Sequence, residues 1–132
     1  MAWNYRWHDD AQTILVCDVR DSWTWEDAHQ IVQAQASHLQ SVSHDVHTIF
    51  WLHGIPGVPQ DGTGLPNLRK LLAMRQPNSQ LVIFIGINRF GETLAAMMNK
   101  VYGMRDQIAM YRFVSSIEEA LDEIALYQRE HA

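Results

Sequence analysis

The segment Leu81–Ile87 (LVIFIGI) is apolar at nearly every position, and this limits the fold more than any other feature of the chain. A strand without alternating polar side chains has no face to offer water, so both of its faces must be covered. Helices on a largely parallel sheet do this, which makes an α/β architecture the expectation. Helical patterns stand on either side of the segment. Leu68, Leu71 and Leu72 precede it, in a helix over about Leu65–Arg75 that stops before Pro77. Phe90, Leu94, Met97, Met98 and Val101 follow it, with Gly103 as a stop.

The same reading extends to both ends. Trp3 to His8 alternates and closes at the polar turn Asp9-Asp10-Ala11-Gln12; Thr13 to Val19 is β-branched and apolar, so the two form a hairpin. Thr24 caps a helix with Glu26 and Asp27 in its first turn and a stripe through Ala28, Ile31, Val32, Gln35, Leu39 and Val42, ending near Ser41. His47 to Leu52 is a further strand, followed by a Gly/Pro-rich loop from Ile55 to Gly64. Met110 to Val114 is the last strand. Ser116 and Glu119 spell a capping box before a helix that buries Ile117, Ala120, Leu121 and Ile124. The predicted order is β-β-α-β-α-β-α-β-α. It describes one α/β domain over residues 1–132, with a mixed, mostly parallel five-stranded sheet, four helices and an antiparallel edge from the hairpin.

Composition removes several function classes. A chain of 132 residues can build a core without disulfides or metal. The net charge is -5, and Arg69-Lys70 is the one adjacent basic pair, so the basic face that nucleic acid requires is missing. The run Leu81–Ile87 is far too short to span a bilayer. Met1 to Trp7 lacks the apolar stretch of a signal peptide, and the single Cys17 cannot form an internal bridge. A cytoplasmic, reducing setting is expected.

Chemistry is harder to find. Cys17 falls mid-strand, where a thiol acts as a small buried hydrophobe. His44, His47 and His53 surround one strand but lie toward opposite ends of it. No Cys pair, HxH or HExxH pattern accompanies them, so strand-end solvation is expected in place of a metal site. Asp18, Asp21 and Asp27 read as solvated caps and turns, not as a magnesium site. Gly86-Ile87-Asn88-Arg89-Phe90-Gly91 lacks the third glycine of a dinucleotide fingerprint. No acid/base pair, nucleophile or cofactor motif stands at a recognisable spacing, and the expectation is a non-catalytic protein without a cofactor. Trp3, Trp7, Trp23 and Trp25 could serve as interface anchors or pack on the hairpin, which leaves room for a homodimer.

The sharpest clue is Asp61-Gly62-Thr63-Gly64-Leu65, placed between a strand and a leucine-rich helix. A hydroxyl there lies at the positive end of a helix, where an anion is readily held. The motif resembles the Asp-Ser-Ser/Thr-Gly-Leu/Val signature of the STAS family, named for sulphate transporters and anti-sigma-factor antagonists. Leu81 to Gly86 is similar to that family's buried fourth strand, and Phe113 to Leu121 to its closing strand-to-helix junction.

The resemblance implies a protein-interaction module whose partner kinase phosphorylates the position matched by Thr63, releasing an anti-sigma-like target. Asp61, Gly62, Thr63, Gly64, Leu65 and Leu68 would then form the partner-binding surface, with Leu65 and Leu68 anchoring the helix. Gly62 stands where the family has its first hydroxyl residue. A sister group, STAS/SEC14-like, keeps the fold without the phosphosite. Trp23-Thr24-Trp25-Glu26-Asp27 and Pro66-Asn67 resemble it. It implies a binder of a lipid or small apolar ligand, marked by an internal apolar cavity beneath the third helix.

Overall fold

The computed structural model describes residues 3–53, 64–86, 96 and 110–131. Its strands β1 (Trp3–Trp7), β2 (Ile14–Val19), β3 (Val46–Leu52), β4 (Ser79–Ile85) and β5 (Tyr111–Val114) form one sheet in that spatial order. β1 pairs antiparallel with β2, and every later pairing is parallel, giving the mixed sheet with a hairpin edge that the sequence predicts. Three helices are described: α1 (Trp25–Gln40), α2 (Gly64–Ala73) and α3 (Ile117–Glu130). The third predicted helix, over Phe90–Val101, lies outside the described residues except for Ala96, which is helical, and most of the loop Ile55–Gly64 lies outside them as well.

Strand order decides which face each helix covers. β2 to β3 and β3 to β4 step in the same direction across the sheet. Parallel crossovers are right-handed, so α1 and α2 fall on one face. There Trp25, Ala28 and Ile31 of α1 and Leu68 and Leu72 of α2 pack on Cys17, Val19, Phe50, Leu52 and Val82. The alternate side chains of the same strands, Val16, Ile49, Leu81, Ile83 and Ile85, meet Ala120 and Ile124 of α3 on the opposite face. β4 is thus covered on both sides, as its unbroken apolar run requires.

Local signals set the helix starts. Asp27 N–H donates to Thr24 Oγ1 at 3.1 Å and Thr24 N–H to an Asp27 carboxylate oxygen at 2.9 Å, a complete capping box. Ser116 likewise accepts from Glu119 N–H at 3.1 Å. The predicted return bond is displaced by one residue: the Glu119 carboxylate accepts from the backbone and hydroxyl of Ser115, not from the Ser116 backbone. α2 opens at Gly64, one residue before the predicted start.

Candidate functional site

Between α1, α2 and the sheet lies a cavity of about 120 Å³. Its walls are mostly apolar and aromatic: Trp23, Trp25, Ala28 and Ile31 from the α1 side, Leu68 and Leu72 from α2, and Val19, Phe50, Val82 and Phe84 from the sheet. The topology that puts both helices on one face creates it. Two cylinders laid side by side on a twisted sheet leave a groove between them, which only large side chains fill.

Polar residues gather at one end. α2 closes at Ala73 and β4 begins at Ser79, so Arg75, Gln76 and Ser79 sit at the amino ends of the parallel strands. Gln35 joins them from α1 and donates to the buried Thr48 hydroxyl at 2.9 Å. Arg75 Nη2 donates to the carbonyls of Ser79 at 2.9 Å and Gln80 at 3.3 Å. Its Nη1 is buried and has no hydrogen-bond partner among the described residues. Trp25 is 5% exposed, and its indole Nε1 is also buried, with no hydrogen-bond partner among the described residues. Trp25 opens α1, just past the carboxyl end of β2, so the two donors mark opposite ends of the site.

Buried donors of this kind cost about 1–3 kcal/mol each, which is why folded chains pair nearly all of them. Tyr111 also lines the cavity; burial raises its phenol pKa, and the nearby Arg75 charge works against that rise.

A second polar cluster stands on the other face, at the carboxyl ends of β2 and β3. Asp18, expected as a solvated residue, is instead 4% exposed. It accepts from Arg6 Nε at 3.1 Å and sits 2.9 Å from His53 Nε2, whose ring stacks on Trp51 at 4.8 Å. Burial opposes ionisation of Asp18, but the bonds to His53 and Arg6 outweigh it and hold the carboxyl below its usual range. The sequence carried no sign of this cluster, since its members are separated in the chain and joined only by strand pairing.

His47 is also buried, not solvated at a strand end. Among the described residues no three His, Cys, Asp or Glu side chains converge as metal ligands. Trp25 is core, whereas Trp3, Trp7, Trp23 and Trp51 are half-buried.

Of the sequence-predicted surface, Asp61, Gly62 and Thr63 lie outside the described residues. Gly64 and Leu65 form the first turn of α2, and Leu68 is buried in the core, where it anchors that helix. No helix among the described residues is long and apolar enough to cross a membrane. The chain matches no family model, no curated protein and no solved structure.

Proposed function

We propose that this domain is a non-catalytic binder of a compact apolar ligand, held between α1, α2 and the sheet, in the manner of the STAS/SEC14-like group. The observation that carries the proposal is the apolar cavity whose wall holds two buried N–H donors without a hydrogen-bond partner among the described residues. A trapped water needs two to four polar partners; the polar groups of the wall are confined to the Arg75 end, and the leucine, valine and aromatic side chains that make up the rest offer none. An apolar molecule with an acceptor satisfies wall and donors together. Size sets the ligand class: a cavity of about 150 Å³ accommodates benzene. At about 120 Å³ this one suits a single ring or a short chain and is too small for a diacyl lipid.

The test is thermal denaturation with monocyclic probes, neutral and charged. Binding to the folded state alone raises Tm with probe concentration. Leu72→Trp, which fills the cavity, abolishes the rise. No response of the wild type to any probe sinks the reading.

A second reading, the phosphorylation-gated interaction module, is favoured by the start of α2. The helix begins at the residue after Thr63 in the chain, and its first turn contains no acid to compete with a phosphate. The partner would be a kinase or an anti-sigma-like protein. Phosphopeptide analysis from the native cell tests for the modification. Equal partner recovery by wild type and Thr63→Asp removes the switch.

A further inference from the structure

Resting on the cavity reading above, we infer that the ligand is a small carboxylate whose anionic head binds Arg75 at the amino-end of the cavity and whose apolar body lies among Ile31, Leu68, Leu72 and Val82.

Arg75 separates this from binding of any small hydrophobe. A guanidinium presents a planar fork of donors. Here only one side of the fork is used: Nη2 donates to the backbone carbonyls of Ser79 and Gln80, the first two residues of β4, and so ties the turn after α2 to that strand. Those bonds fix the orientation of the group but leave its charge without a carboxylate, since none of the ion pairs among the described residues includes Arg75. Nη1 remains, buried and without a partner among the described residues, on a residue of the cavity wall. A pre-positioned charged donor in a largely apolar cavity favours an anionic acceptor over a neutral one, because charge-assisted hydrogen bonds are about twice as strong.

The neighbouring polar groups are largely committed elsewhere. Gln35 is spent on Thr48, and Gln76 both donates to the Met74 carbonyl and accepts from Gln40. Arg75 is therefore the head-group site. Trp25 Nε1, at the far end, offers one neutral donor and no charge, so it cannot compete for the anion.

Three probes of matched ring and different head test this on the wild-type protein: benzoate, benzamide and toluene, followed by calorimetry and Trp fluorescence. Benzoate is expected to bind about tenfold or more tighter than benzamide, the gap that one charge-assisted hydrogen bond supplies. Arg75→Gln is expected to erase that gap while leaving toluene affinity unchanged. If benzamide or toluene binds as well as benzoate, the carboxylate assignment is overturned and the cavity reading survives. If no probe binds, both fall. Because Arg75→Gln also removes bonds to the Ser79 and Gln80 carbonyls, the wild-type comparison decides the matter without it.

Discussion

Asp18 and His53 are 35 residues apart in the chain, yet Oδ1 of one lies 2.9 Å from Nε2 of the other. Parallel pairing of β2 with β3 sets Asp18 opposite Trp51, so the residue two further along β3's line reaches back to the carboxylate. Arg6, delivered by the hairpin, takes the second oxygen. Three segments are thereby tied at one corner of the sheet.

Asp18→Asn keeps the shape and removes the charge from this corner. The expected loss is about 2 kcal/mol, below the cost of breaking a fully buried pair because Arg6 and His53 are partly exposed. The folded pKa of Asp18 is depressed, so its contribution is complete above the unfolded value of about 3.8 and disappears as pH falls toward the folded one. Urea unfolding at pH 7 and pH 3 checks both points: the variant should differ from wild type far more at pH 7.

His47 acts through a neutral ring. β3 and β4 shift register between Val46 and Thr48, leaving an extra residue on β4, and Leu81 N–H donates to His47 Nδ1 at 3.2 Å. Burial lowers the His47 pKa, with Asp45 opposing the shift. The unfolded chain thus takes up a proton near pH 6.5 that the folded chain refuses, and stability falls as pH drops from there toward the folded pKa. His47→Leu should cost about 1–3 kcal/mol by stranding the Leu81 donor. His47→Gln should recover much of this and flatten the stability slope between pH 7 and 5, measured by urea titration.

What could be read from the residues alone follows the range of each interaction. Periodicity and capping are local, so α1, α3 and the doubly covered β4 were legible, and the parallel sheet followed from its crossovers. The cavity was not. It depends on α1 and α2 sharing a face, which requires the strand order, and strand order is a long-range property. Asp18 shows the same limit: a carboxylate at a strand end reads as solvated until pairing brings Arg6 and His53 to it. Arg75, three residues beyond Leu72 and just past the end of α2, looks like an ordinary helix-end cation until β4 is placed beside it.

Cys17 should be chemically silent while the protein is folded. It is buried, and its pKa is pushed up to about 12, chiefly by burial; the Tyr5 hydroxyl beside it lowers the value and the Asp18 charge raises it. A thiolate is the reactive form, so both access and ionisation are withheld. Labelling with a thiol reagent at pH 8 should be slow in buffer and rapid in denaturant. Fast labelling in buffer would mean that β1 or α1 opens readily from β2.

The turn before β2 holds one residue in a left-handed conformation, Gln12 at φ 58. A side chain meets the backbone there, at a cost of roughly 1 kcal/mol that glycine avoids. The Gln12 side chain is exposed, and the turn is held by backbone and Asp9 bonds: Gln12 N–H donates to the Asp9 carbonyl at 3.1 Å, and Asp9 Oδ1 accepts from Thr13 and Ile14 N–H at 2.9 and 3.0 Å. Glycine adds entropy to the unfolded chain, which returns part of the gain. Gln12→Gly should therefore raise stability by about 0.5 kcal/mol, while Gln12→Val, β-branched at positive φ, should lower it by 1 kcal/mol or roughly more. Thermal melts of the pair give the sign directly. A destabilised glycine variant would show that Gln12 is held by contacts beyond its backbone, with the His44 bond to the Gln12 carbonyl as the first to examine.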